Sequence, residues 1–294
     1  MNIEPGHLVL EREEYIEQAH LFRTLSERLA ENVPMQELLA HVKQEILSTT
    51  RLPMAIDFLL TELRHIGMMS TAMERLPHYF TPFQTYVMHE AEAERGRFDL
   101  RIAVEILRHE AEYRAKSPVP QAMFMYQFEC ISRNRLKYDP GLGAVAGDPI
   151  YDDSWRQWID ELRLRIGMVD FADMIYVRSQ YNIVHRTRPG EPPPEPEKPL
   201  LFSEKEGKIA WANRRKDPLY LFAALQRHLG YPAVPRPKRP DESLNLLPLL
   251  NLTVQRLESR VKLLEDEARG GIDITKFYGK SGSPMHGVQP PDDQ

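Results

Sequence analysis

Two Glu-x-x-His pairs, Glu17/His20 and Glu62/His65, have the spacing best suited to metal chemistry in this chain. A carboxylate and an imidazole three residues apart share one face of a helix, and helical di-iron proteins take ligands from two such pairs. A complete site also needs a lone carboxylate from each of two further helices, for which Glu90 and Glu105 are candidates. A third pair, Glu4/His7, is interrupted by Pro5-Gly6 and does not suit a helix. A carboxylate–histidine metal enzyme is therefore one function class to weigh. In so acid-rich a chain, solvated helix faces account for the same pairs more simply.

Other catalytic signatures fall away on spacing. His89-Glu90 and His109-Glu110 begin a zinc-protease motif, but Ala93 and Tyr113 stand where the second histidine belongs. Gly141 to Gly147 is glycine-rich with the wrong spacing for a dinucleotide loop, and it reads as a small-residue loop between helices. The GxxxxGK[ST] phosphate loop is absent from the sequence. Asp170 and Asp173 lie one turn apart, as in magnesium–diphosphate sites, yet acids in the first turn also complement the helix dipole. Cys130, flanked by Phe128 and Ile131, reads as a buried small hydrophobe rather than a nucleophile. No catalytic residue and no cofactor is assigned.

Two features remain that suit binding. Between residues 205 and 239 stand nine cations: Lys205, Lys208, Arg214, Arg215, Lys216, Arg227, Arg236, Lys238 and Arg239. Trp211, Tyr220, Phe222 and Tyr231 interleave with them, so phosphate neutralisation with base stacking is one use of this basic patch. Contact with an acidic protein surface, or with the acidic N-terminal part of the same chain, is the favoured one. Further on, Leu247, Leu250, Val254, Leu257, Val261 and Leu264 alternate at spacings of three and four. That is the a/d seam of a short coiled coil, with Glu258, Arg260, Glu265 and Glu267 at flanking e and g positions. Valine at a and leucine at d favour a parallel dimer, while docking of the same stripe on the chain's own domain is the competing use.

Helices must position all of these residues. Apolar spacing predicts helices over Tyr15 to Leu29, from Pro34 through Met35, Leu38, Leu39, Val42 and Ile46, and from Pro53 to Gly67. Thr81-Pro82-Phe83-Gln84 carries a capping box, and Ser117-Pro118 opens the next apolar helix through Phe124, Phe128 and Ile131. One helix follows Asp152-Asp153, and another is expected from about Asp170 to His185, making about eight in the first 185 residues. Ser203 to Glu206 forms a second capping box, and Asp217-Pro218 starts a helix that Gly230 and Pro232 stop. No stretch shows strand-like alternation, so the fold class is all-α, a multi-helix bundle.

The 294 residues divide by charge: 1–185 carries −8, 186–240 carries +6 and 241–294 carries −3. Eleven of the 24 prolines fall in 186–240. The sequence thus predicts an all-α domain over 1–185, a Pro-rich linker over 186–200, a small basic helical segment over 201–240, an amphipathic helix over 241–268 and a flexible tail over 269–294. At 42% hydrophobic and 28% charged residues the composition is that of an ordinary globular protein. The longest uncharged run, Leu76 to Met88, holds two prolines and cannot span a membrane. The first 30 residues show no signal-peptide core, and a single cysteine excludes an internal disulfide, so a reducing, cytoplasmic home is expected. The expected function is a helical adaptor or scaffold that self-associates through its C-terminal helix, first as a homodimer, with no membrane partner. The metal enzyme and a nucleic-acid-binding accessory protein are the alternatives.

Overall fold

The computed structural model describes residues 10–29, 33–93, 98–187, 192, 194–236, 253–262 and 264–265. It is all-α: among the described residues there are helices and two isolated bridges, and no strand. The first six helices are α1 (Arg12–Arg28), α2 (Met35–Glu45), α3 (Leu52–His65), α4 (Met69–Glu74), α5 (Pro82–Glu92) and α6 (Leu100–Arg114). They are followed by α7 (Pro120–Arg133), α8 (Tyr138–Ala146), α9 (Asp153–Arg165), α10 (Phe171–Val177), α11 (Gln180–Arg186), α12 (Glu204–Ala212) and α13 (Pro218–Leu229). Residues 253–262 and 264–265 form one more helical stretch.

The expected start signals operate as local chemistry. Thr81 Oγ1 accepts from the Gln84 N–H at 3.3 Å while Gln84 Oε1 accepts from the Thr81 N–H at 3.1 Å, both inside the core. Asp152 caps α9 through the Trp155 N–H, Ser203 and Glu206 form the second box at α12, and Asp217 caps α13. Gly230, at φ 71°, ends α13 in the left-handed region.

Helix α7 lies at the centre. Every residue from Ala122 to Ile131 is buried, including Gln127 and Glu129, so the helix has no solvent face. Phe124 packs against Trp155 and Trp158 of α9, and Phe128 against Phe171 of α10 and Phe222 of α13. Around it, α1 runs along α6, α4 and α5 pair, and α8 packs on both α5 and α9.

The structure departs from four expectations. Gly141 to Gly147 is not a loop, because Tyr138–Ala146 is helical. Glycine serves close approach there: a Cβ on Gly141 would sit 3.0 Å from both Ile131 Cδ1 and Tyr86 Cε1. Pro120, not Pro118, occupies the first turn of α7. The helix expected from Asp170 to His185 breaks at Arg178-Ser179, where the Arg178 carbonyl accepts from the Leu201 and Phe202 N–H groups and Ser179 caps α11. Finally, 201–234 is no separate segment. Leu201, Phe202, Ala210, Leu221, Phe222, Leu225, Tyr231 and Val234 belong to the same core as residues 10–176, and the compact unit runs through Pro237. Phe202 is set between Trp155 and Trp158, with ring centroids 5.3 and 5.1 Å away. Lys198 pairs with Glu161 of α9, so the proline-rich stretch is tied to the unit at that point. The second unit, Lys238–Gln294, contains the helical residues 253–262 and 264–265.

Candidate functional site

The helical residues 253–262 and 264–265 include four exposed apolar side chains. Val254 is 48% exposed, Leu257 53%, Val261 52% and Leu264 62%. These are four of the six seam positions, one turn apart in sequence; Leu247 and Leu250 lie outside the described residues. Glu258 and Arg260 are exposed beside the seam, as is Glu265. The stretch carries no glycine or proline, and its leucines, arginines, lysine and glutamates are strong helix formers. Chemically it offers a narrow apolar stripe bordered by charges of both signs.

Two of the four aromatics in the basic segment are buried. Phe222 and Tyr231 are in the core, and the Tyr231 hydroxyl donates to Glu129 at 2.7 Å and to the Phe222 carbonyl at 3.1 Å. Burial, with Glu129 beside it, pushes the Tyr231 pKa up. Of the four interleaved aromatics, Tyr220 is exposed and Trp211 half-buried. Arg214 is held by Asp173 of α10 and lies over the Trp211 ring at 4.0 Å. This cation is thus spent on the acidic part of the chain. Lys205, Lys208, Arg215, Lys216, Arg227 and Arg236 are exposed; Lys238 and Arg239 lie outside the described residues.

The Glu/His pairs are placed on separate helices and occupied locally. Glu17 accepts from the Leu47 N–H at 3.1 Å, and His20 faces Glu45 at 3.7 Å. Glu62 pairs with Arg75 at 2.8 Å, and His65 is exposed in the last turn of α3. Of the candidate bridging acids, Glu90 pairs with Lys137 at 2.9 Å and Glu105 accepts from Ser26. Among the described residues no group of three or more His, Cys, Asp or Glu side chains is arranged to hold a metal ion. Asp170 caps α10 and accepts from the Arg215 N–H, a structural use for both acids of the Asp170/Asp173 pair. Cys130 is fully buried, and burial pushes its thiol pKa far up, which makes it a poor nucleophile.

Sequence reasoning missed a buried polar network beside α7. The Arg114 guanidinium bonds to Glu110 at 2.8 Å and to Asp148. Gln127 donates to Glu110 at 3.0 Å and to Asp148 at 2.9 Å, and the Tyr151 hydroxyl donates to Gln127 at 2.7 Å. Burial pushes the Glu110 pKa up, against the pull of Arg114 and with the help of Asp148. The i, i+4 spacing of Glu110 and Arg114 on α6 was a visible signal. Asp148, in the turn after α8, was not. Every member of the network except part of Arg114 and Glu110 is satisfied within the core, and the cluster presents no open face for substrate.

Among the described residues no helix is long and apolar enough to cross a membrane. No protein-family model, curated protein or solved structure matches the chain.

Proposed function

We propose that this protein is a helical adaptor or scaffold that self-associates as a parallel dimer through residues 247–264. The observation that carries this reading is the exposure of Val254, Leu257, Val261 and Leu264, each about half or more open to solvent. Burying each such side chain stabilises by about 1.5–3 kcal/mol before association costs, so a stripe of them favours a partner surface. A second copy fits that surface better than an unrelated one. With Val254 and Val261 at a, Arg260 occupies g and Glu265 the e position five residues on. In a parallel pair these two meet across the seam twice, once from each chain. An antiparallel pair instead sets e against e, which brings the glutamates 258 and 265 together.

The parallel arrangement also sets identical d residues face to face. Leu257→Cys in the full chain should therefore form an interchain disulfide on mild oxidation, while the buried Cys130 stays reduced. Glu258→Cys, on the flank, should cross-link much less. Equal cross-linking at both positions, or none at either, counts against the paired seam.

A further inference from the structure

The compact unit holds a cavity of about 640 Å³ between α9, α10, α11 and the proline-rich strap 194–200. That volume suits a small organic molecule. Its wall is amphipathic. Trp158 and Met174 give a buried apolar floor, and the exposed Pro194 and Pro196 of the strap line it as well.

Arg178 opens onto this cavity and is only 5% exposed. Its Nε is buried and meets no acceptor among the described residues. The acid nearest in electrostatic effect, Glu161, is already bound by Lys198. Asp173, also on the cavity wall, is bound by Arg214. Desolvation holds the Arg178 pKa below the usual arginine value, although the side chain stays charged. Buried arginines are normally paired, because an uncompensated charge away from water is costly. Arg165 and Arg186 also line the cavity and are exposed, as are Glu195 and Glu197 of the strap.

We propose that this cavity binds a small amphipathic carboxylate, its carboxyl group bridging to the Arg178 guanidinium and its apolar body lying on Trp158 and Met174. The planar fork of a guanidinium matches a carboxylate with two parallel hydrogen bonds. One buried cation is balanced by one negative charge, and the exposed lining residues Arg165, Arg186, Glu195 and Glu197 cancel in charge and add no net pull for a dianionic phosphate. The body must be apolar because the floor is.

The test is calorimetric titration of the full chain with octanoate and with phenylacetate, alongside octanol and inorganic phosphate as controls. One carboxylate should bind per chain with a Kd between about 10 µM and 1 mM, while octanol and phosphate should not saturate. Arg178→Met should weaken carboxylate binding at least about tenfold, the loss of a charge-assisted hydrogen-bond pair. Without ligand this variant should melt no lower than wild type, since it removes a buried guanidinium whose Nε has no acceptor among the described residues. Arg186→Gln, at the exposed rim, leaves the core untouched and should weaken binding only a few-fold. The proposal is overturned if neither carboxylate saturates by about 10 mM, if phosphate binds in their place, or if Arg178→Met binds as wild type does. It is equally overturned if Arg178→Met and Glu195→Gln/Glu197→Gln both lower the melting temperature, because the strap would then itself supply the missing anion.

Discussion

Asp148 holds Arg114 from a turn 34 residues further along the chain, and the pair sits where no water reaches it. Removing one partner of such a pair leaves an uncompensated charge, so Asp148→Ala should cost about 3–5 kcal/mol in chemical denaturation. Glu110 behaves in the opposite sense. Burial raises its folded-state pKa above the ordinary 4.5, so its contribution to stability is full below that pH. It is lost as pH rises through the folded value. Glu110→Gln keeps an oxygen for Arg114 and Gln127 and has no charge to bury. Its melting temperature relative to wild type should therefore rise between about pH 5 and pH 8, and a falling or flat difference would contradict this assignment. At this scale the caps were legible because they are local: Thr81, Gln84, Asp152 and Ser203 act on backbone within three residues. Thr81→Ala should cost about 1–2 kcal/mol, measured by the same denaturation. The network and Arg178 were not legible, since their meaning depends on partners, or missing partners, brought by the fold.

Elements were legible where one face is apolar and ends are punctuated, as in α3, α5, α9 and α13. They were misread where tertiary contact overrides local preference. Helix α8 contains Gly141 and Gly143, poor helix formers, yet the smallness of Gly141 lets α8 close on Tyr86 and Ile131. The break between α10 and α11 follows from pairing of the Arg178 carbonyl with 201–202, a partner more than 20 residues away. Helix α12 then crosses this break through Gly207. A Cβ there would fall inside the contact radii of Ser179 Oγ and Cβ and of Tyr181 Cβ. Because two elements and a backbone pairing converge there, the overlap has no easy relief. Gly207→Ala should cost about 1–3 kcal/mol, whereas Ala212→Gly at the exposed end of the same helix should cost less than about 1 kcal/mol.

Across the whole molecule, the proline count suggested a boundary near 186–200, but side chains beyond it complete the core. Phe202 fills the space between two tryptophans, and Phe222 and Tyr231 cover α7, so a fragment ending at residue 185 lacks part of its own interior. Composition reports backbone preference and charge, not which aromatic fills which gap. A fragment ending at Pro237 should unfold cooperatively with near-native helicity, and one ending at 185 should not, as circular dichroism melts would reveal. The helix over 253–262 and 264–265 was legible for the opposite reason: its spacing is internal to one element and needs no tertiary partner to be read.

Sedimentation equilibrium of the full chain beside Leu257→Asp and the 1–237 fragment tests self-association most directly. Three heptads give a modest interface, so the expected dimerisation constant lies in the range of about 1–100 µM. At concentrations well above it the full chain should sediment at twice the 34.2 kDa monomer mass, while Leu257→Asp and the 1–237 fragment stay monomeric. A full chain that remains monomeric, or a dimer that survives both changes, would contradict association through the seam.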